Sequence, residues 1–221
     1  MTGFFLQILW GTTTTLEVAF LACAFGLSLA LLTTILELMQ IKWLYRSINS
    51  LLFVVRGLPE LFVLFFLYFG SIALLNRLFH HYIDVNPLVA SVLALGLIFA
   101  AYAAQTLRGA FLAVLPGQLE AGKAMGLSSV QLFLHIHLPQ AWRHALPGLS
   151  NLWLVLLKDT AIVTLIGLSD IMNQAKLAAN ATQQPFTYYF FAALIYLLIT
   201  YVSQLIFSFL QSKSNECIAS C

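Results

Sequence analysis

Residues 88–112 read LVASVLALGLIFAAYAAQTLRGAFL, and Arg108 is the only charged side chain in this stretch. A transmembrane helix needs about 20 consecutive, mainly apolar residues to cross the hydrocarbon core of a bilayer. The stretch therefore predicts a membrane-spanning helix. The whole chain has the same character, because 61% of its 221 residues are hydrophobic and only 8% are charged. Soluble proteins carry about 25% charged residues, which excludes a water-soluble fold.

Further apolar segments on both sides predict an all-α integral membrane protein with five transmembrane helices. In chain order the five segments are residues 9–36, 51–75, 88–112, 147–168 and 186–210. We expect them to form one membrane domain over residues 1–221, with a long polar connection at residues 113–146. The net charge of +2 is too small to indicate a nucleic-acid partner, and the three cysteines lack the spacing of a metal site.

Basic residues in the short loops predict the orientation, because Lys and Arg concentrate on the cytoplasmic side of a membrane. With a periplasmic N-terminus, only Arg77 and Lys176 lie in the periplasmic loops. The C-terminus and the connection 113–146 are then cytoplasmic. The basic residues on that cytoplasmic side are Lys42, Arg46, Arg56, Arg108, Lys123, Arg143 and Lys213.

The connection has a helical pattern of its own. Pro116 suits the first position of a helix, and Gly126 can adopt the left-handed conformation that ends one. A second short helix is predicted to start at Ser128 or Ser129 and to stop at Pro139. Two short helices at a sharp angle would form a compact knob, whereas the alternative is an ordinary surface loop that lies on the bilayer.

Residues 117–124 read GQLEAGKA, one residue short of the phosphate-binding pattern GxxxxGK[ST]. The Ser or Thr that would hold magnesium is missing, because Ala124 stands at that position. No soluble strand precedes the pattern either. We therefore expect no ATP site and no cofactor in this chain.

The connection resembles the EAA loop of ABC-transporter permeases, and the resemblance rests on Glu120, Ala121, Gly122, Gly126, Ile136, Leu138 and Pro139. In that family the loop forms the coupling helix, which sits in a cleft of the ATPase subunit. The usual motif is Glu-Ala-Ala, and this chain has glycine in third place, which weakens a helix by about 1 kcal/mol relative to alanine. The resemblance implies a type I ABC importer permease fold in which these residues contact the ATPase.

Motifs elsewhere extend the resemblance to nearly the whole chain. They are RGLPE at 56–60, AYAAQTLRGA at 101–110, LPQAWRHALPG at 138–148, LLKDT at 156–160 and QQPFT at 183–187. These motifs are similar to the permeases of polar amino-acid ABC importers, and most of all to the Q-type permease subunit of bacterial arginine transporters. Gln105 agrees with the arginine type, since the wider family commonly has glutamate there.

The resemblance implies a transport subunit of the bacterial inner membrane that is not itself an enzyme. Its expected substrate is L-arginine, carried from periplasm to cytoplasm, with histidine, lysine and glutamine as alternatives. The implied partners are a second permease (a related chain or an identical copy), a cytoplasmic ATPase dimer that uses the ATP, a periplasmic amino-acid-binding protein and membrane lipid. The rival classes are an ion-gradient-driven secondary transporter, with Asp159 or Glu60 as proton carrier, and a membrane scaffold.

Lys158 and Asp159 lie inside the fourth apolar segment. Each such charge costs about 2.5 to 3.5 kcal/mol at the centre of a membrane helix, so both are candidate functional residues. Neighbouring residues on a helix point in different directions and cannot neutralise each other. At least one therefore needs a partner on another segment, for which Glu60 and Glu17 are the candidates, or the helix is broken at this point.

The substrate path is predicted from the same charges. Carboxylates are the best acceptors for the paired hydrogen bonds of a guanidinium, so we expect Asp159 and Glu60 to line the path, with Glu17 as a weaker candidate. Lys158 either fixes helix packing or meets the substrate carboxylate. Neutral hydrogen bonds are expected from Thr160, Thr164 and Gln105. Two further basic residues at segment ends, Arg56 and Arg108, are expected to anchor at lipid head groups.

Overall fold

The computed structural model describes residues 2–39, 41–80 and 84–219, with side chains described for 3–39, 41–80 and 84–214. Over these ranges the regular structure is entirely helical. A π-helical segment, Phe133–His137, joins α6 to α7, and a 3-10 helix, Thr160–Ile166, follows α7. The α-helices are α1 Thr2–Leu38, α2 Lys42–Gly57, α3 Glu60–Phe79, α4 Pro87–Leu112, α5 Pro116–Ala124, α6 Ser129–Leu132, α7 Leu138–Asp159, α8 Ile171–Thr182 and α9 Pro185–Ala219.

Within the described residues, five helical segments are long and apolar enough to cross a membrane, namely Gly3–Leu38, Glu60–Phe79, Pro87–Leu112, Ser129–Ile166 and Pro185–Ser214. The predicted all-α membrane protein with five transmembrane helices is thus confirmed. The third segment, predicted over 88–112, differs from α4 by one residue. The first and fifth helices run past their predicted ends, because the helix continues into flanking residues that interrupt the apolar pattern.

The structure corrects the second predicted segment, residues 51–75, which is not one helix. Leu58 has extended backbone angles (φ −98°, ψ 146°), as expected for a residue that precedes a proline. Helix α2 therefore ends at Gly57 and α3 begins at Glu60, directly after Pro59. The spanning helix is α3 alone, while α2 buries Leu52 and Val55 and leaves much of its surface exposed.

The predicted stop at Pro139 is wrong. Proline is tolerated in the first turn of a helix, where its missing N–H would have no intrahelical partner. Pro139 occupies this part of α7, so the chain stays helical from Ser129 to Ile166. The fourth transmembrane helix consequently begins well before the predicted residue 147, and Pro147 lies inside α7.

Helices α1 and α4 form the centre of the bundle and approach each other through glycines. A Cβ atom built on Gly26 would lie 2.5 Å from the carbonyl oxygen of Gly96, and one built on Gly96 would lie 3.0 Å from the carbonyl oxygen of Ala22. Small residues permit this close contact, as is common between membrane helices. A second apolar cluster, around Ile8, Ile171 and Tyr188, holds α8 against α1 and α9.

Candidate functional site

Two acidic side chains from different helices meet inside the bundle. Glu60 is the first residue of α3 and Asp159 is the last residue of α7. Both line one narrow cleft, and their carboxyl groups are close enough to interact electrostatically. The remaining wall is mostly apolar and consists of Leu95, Ile98, Phe99, Tyr102, Leu152, Val155 and Leu156.

Local backbone rules place both carboxyl groups. Pro59 cannot continue α2, and α3 starts immediately after it, which puts Glu60 in the first helical turn. Asp159 lies where the α-helix tightens into a 3-10 helix. The hydroxyl of Thr160 donates to the carbonyl of Leu157 at 2.7 Å at this junction and lies 3.4 Å from the Tyr196 hydroxyl. The helix thus changes its geometry at Asp159, where a break in the helix is one of the two alternatives predicted from the sequence.

The cleft is suited to a cation. The N-terminal end of α3 favours the negative charge of Glu60, whereas the C-terminal end of α7 does not favour that of Asp159. Two unit charges 4 Å apart interact by about 4 kcal/mol near a protein surface, so the two carboxyl groups repel each other when both are ionised, unless a positive group lies between them. A planar guanidinium offers paired N–H donors to such acceptors.

The cleft is narrow in this conformation. Its volume is about 20 Å³, which is the space of roughly one water molecule. A whole amino acid does not fit, so binding one requires α3, α4 and α7 to move apart. Because the two carboxylates stand on different helices, such a movement also changes the distance between them.

The structure does not bring Lys158 or Glu17 to this cleft. Lys158 is exposed and lines a different, open groove together with Met172, Tyr189 and Tyr196. Glu17 is exposed on α1 and is not part of the cleft wall. The part in the substrate path that the sequence predicts for each of these two residues stays a prediction.

The neutral candidates are likewise dispersed. The side-chain oxygen of Gln105 accepts a hydrogen bond from Arg56 in a separate cavity nearer the loop end of α4. Thr160 is buried at the end of α7, and the Thr164 hydroxyl donates to Asp170. Of the residues predicted for the substrate path, the cleft therefore contains Glu60 and Asp159 alone.

The polar connection contains the two helices that its sequence predicts. Helix α5 begins with Pro116 and is followed by Gly126 in the left-handed conformation (φ +82°). Ser128 caps the second helix, since its hydroxyl accepts from the backbone N–H of Gln131 while the Gln131 side chain accepts from the backbone N–H of Ser128. We call residues 113–137 the loop, and the side of the bundle that carries it the loop face.

Gly122 is the contact between the two halves of the loop. It is buried, and a Cβ atom built on it would lie 2.6 Å from Leu132 Cδ1 and 2.7 Å from Ile136 Cδ1. Its neighbours Glu120 and Ala121 are exposed on the outer surface of α5. Glycine at this position therefore allows α5 to pack closely on the helix that leads into α7.

The outer surface of the loop is apolar as well as exposed. Its large exposed side chains include Met125, which is 83% exposed, and Leu115, Val130 and Leu134, all at least half exposed. Near the loop's end Leu138 and Pro139 are exposed and Ile136 is half-buried. Exposed apolar side chains among polar ones are suited to contact with another protein.

Comparison with known proteins establishes the family. Residues 24–215 match the family described as binding-protein-dependent transport system inner membrane component. The chain belongs to this family. It is 50% identical over 190 residues to the arginine ABC transporter permease protein ArtQ of Haemophilus influenzae, a match that covers 86% of this chain and 85% of that protein.

This membrane component has further relatives of similar length. It is 35% identical over 215 residues to the histidine/lysine/arginine/ornithine transport system permease protein HisQ of Escherichia coli, covering 96% of this chain and 94% of that protein. It also superposes on a crystal structure of an amino acid ABC transporter with histidines, with a TM-score of 0.85, 30% identity and 96% of each chain covered. The predicted resemblance, the ABC permease fold, the role as a transport component and the inner-membrane location are thus confirmed.

Sequence reasoning missed helix α8 and the residue that begins it. Asp170 is fully buried, and its carboxylate accepts from Thr164 Oγ1 and from the backbone N–H groups of Met172 and Asn173. Burial raises the pKa of this carboxyl above its ordinary value of 3.8, although the hydrogen bonds oppose the shift. An acidic residue directly before an apolar helical pattern is the available signal for such a cap.

Proposed function

We propose that this chain is the permease subunit of an ATP-driven importer and that it moves L-arginine from the periplasm to the cytoplasm. The observation that carries the proposal is the pairing of Glu60 with Asp159 in one cleft. Arginine is a cation with a planar, forked set of donors, which two carboxylates accept better than they accept the neutral side chain of glutamine. The names of the two relatives ArtQ and HisQ both include arginine.

The proposed orientation places the loop face in the cytoplasm, in agreement with the distribution of basic residues. There the loop would dock into one subunit of an ATPase dimer, with Glu120 and the exposed apolar side chains as the contact surface. ATP hydrolysis is assigned to that partner. A second permease chain, a periplasmic amino-acid-binding protein and membrane lipid complete the proposed assembly, and they would cover the exposed surfaces of α3 and α9.

The connection between loop and cleft supports a coupling mechanism. The second half of the loop continues into α7 without a break in helical structure, and α7 ends at Asp159. Helix α7 has 22 residues, about 33 Å at 1.5 Å per residue. Closure of the ATPases would move the loop, and α7 would carry this movement to Asp159 and separate it from Glu60 on α3. The π-helical segment lies directly before α7, where the local helix geometry can adjust to a movement of the loop.

The proposed function is tested by uptake of labelled arginine into proteoliposomes that contain this chain and its partner subunits. We expect uptake that requires ATP and that falls strongly in Asp159→Asn. The variant Asp84→Asn is the control, because it neutralises an exposed carboxylate outside the cleft and outside the predicted substrate path, and it should keep more than half of the activity. Uptake driven by a proton gradient without ATP would overturn the proposed class.

A further inference from the structure

A second, more polar cavity lies between α1, α2 and α4 towards the loop face. Its volume is about 120 Å³, and its polar wall includes Glu37, Tyr45, Asn49, Arg56, Gln105 and Arg108. This volume accommodates several water molecules or one anion of the size of phosphate. The cavity is separate from the carboxylate cleft, since none of the residues that the structure describes lines both.

The charges in the cavity wall do not cancel. Arg108 is already satisfied in part, because its Nε lies 3.2 Å from Glu37 Oε1 and its Nη1 donates to the Tyr45 hydroxyl at 3.1 Å. Among the described residues of the wall, Glu37 is the only acidic one, whereas Arg56 is a second basic one. One positive charge therefore remains in excess, and it belongs to Arg56.

Arg56 also has an unused donor. Its Nη1 donates to the neutral side-chain oxygen of Gln105, and its guanidinium carbon lies 5.8 Å from the centroid of the Phe53 ring. Its Nε–H is buried and has no hydrogen-bond acceptor. A buried charged donor without an acceptor is costly. An oxyanion would supply both the missing acceptor and the missing negative charge, and phosphate oxygens suit the guanidinium fork.

The surroundings indicate where the anion comes from. Helix α2 carries Trp43, which is 87% exposed, and Phe53, which is 69% exposed, on the side away from the bundle. Lys42 and Arg46 stand in its first half. A basic amphipathic helix with exposed aromatic side chains is typical of the membrane–water interface, where lipid phosphates are the most concentrated anions.

We propose that this cavity binds a phosphate oxyanion, supplied by the head group of an anionic phospholipid, with Arg56 as the principal ligand. The head group completes the hydrogen bonding of Arg56 and links α2 to α1 and α4. A zwitterionic head group brings its own cation and matches the single excess charge less well. This site does not depend on the identity of the transported amino acid.

The test is native mass spectrometry of the purified transporter complex in detergent, titrated with phosphatidylglycerol, phosphatidylcholine or inorganic phosphate. We expect one saturable phosphatidylglycerol site, and about tenfold weaker binding in Arg56→Gln, because a charge-assisted hydrogen bond is lost. Arg46→Gln is the matched control, since it removes the same charge from the same helix outside the cavity, and it should bind as the wild type does. Arg56→Lys should be intermediate, because it keeps the charge without the fork.

Three results would overturn the proposal. Equal loss in Arg56→Gln and Arg46→Gln would mean diffuse attraction of lipid to a basic helix. Phosphatidylcholine that binds as tightly as phosphatidylglycerol would contradict an anionic lipid as the source of the phosphate. Inorganic phosphate that binds to the complex without displacing phosphatidylglycerol would contradict it as well. If Arg56→Gln does not assemble, the test compares the wild type with Arg56→Lys. Phosphatidylglycerol should then raise the melting temperature of the wild type more than that of Arg56→Lys, and an equal rise would contradict the proposal.

Discussion

At the scale of single residues, the volume at position 122 determines whether the two halves of the loop can pack together. We predict that Gly122→Val destabilises the loop by about 1 to 3 kcal/mol, because the new side chain overlaps Leu132 and Ile136. Gly117→Val is the matched control in the same helix, where a Cβ atom meets nothing within 4 Å. The measurement is the thermal unfolding of the purified complex, together with the yield of ATPase that co-purifies with it.

Gly122→Ala separates packing from helix propensity. Alanine favours the helix by about 1 kcal/mol, while its Cβ meets only the ends of three flexible side chains, those of Leu127, Leu132 and Ile136. We therefore expect a change close to zero in the same unfolding measurement. A loss as large as that of Gly122→Val would contradict this reading of the contact.

Residue identities predicted the candidate site only in part. Glu60 and Asp159 were identified because carboxylates inside apolar segments need a reason to be there. Their charges predicted different roles for Asp159 and Lys158, but only the packing of the neighbouring helices shows that the two side chains face different cavities. Gly122 was interpreted as a weakness of the helix, because the close contact with Leu132 and Ile136 is invisible without the fold.

At the scale of helices, Asp170 makes the start of α8 sensitive to pH. A carboxyl whose pKa is raised by folding contributes most stability below its ordinary pKa of 3.8, and this contribution is lost as the pH rises through the raised value. The loss amounts to about 1.4 kcal/mol for each unit by which the pKa is raised. Asp170→Asn keeps an N-cap acceptor but cannot ionise.

We therefore predict that the free energy of unfolding of the wild type falls relative to that of Asp170→Asn as the pH rises from about 4. Thermal or denaturant unfolding of both proteins over a series of pH values checks this. Asp170→Ala should be less stable than Asp170→Asn by about 0.5 to 2 kcal/mol at every pH, because it loses the cap. Parallel profiles for wild type and Asp170→Asn would contradict the prediction, because they would show that folding does not shift the pKa of this carboxyl.

Helix boundaries were predictable where the apolar pattern ends at residues that typically start or stop a helix. Asn86 and Pro87 mark the start of α4, and the prediction for that helix is off by one residue. The apolar pattern continues through Leu58 and Pro59, so the sequence merged part of α2 with α3. Pro139 misled the prediction in the opposite direction, because a proline that ends one helix and a proline in the first turn of another look alike in sequence.

At the scale of the whole molecule, the loop is the surface through which we propose that the chain joins an ATPase. We predict that Glu120→Lys abolishes co-purification of the ATPase while the chain still inserts into the membrane. Asp84→Lys is the control, because it reverses one exposed acidic charge in the connection between α3 and α4, far along the chain from the loop. A normal yield of ATPase with Glu120→Lys would remove Glu120 from the proposed interface.

We propose that the membrane component itself recognises a guanidinium through Glu60 and Asp159. The most direct measurement is binding of labelled arginine to the assembled complex in nanodiscs, without the periplasmic binding protein and with citrulline as the neutral analogue of equal shape. We predict saturable arginine binding that citrulline does not displace, weakened about 10- to 100-fold in Asp159→Asn, because one charge-assisted pair is worth about 1.5 to 3 kcal/mol. Arginine binding that is unchanged in both Asp159→Asn and Glu60→Gln would contradict the account.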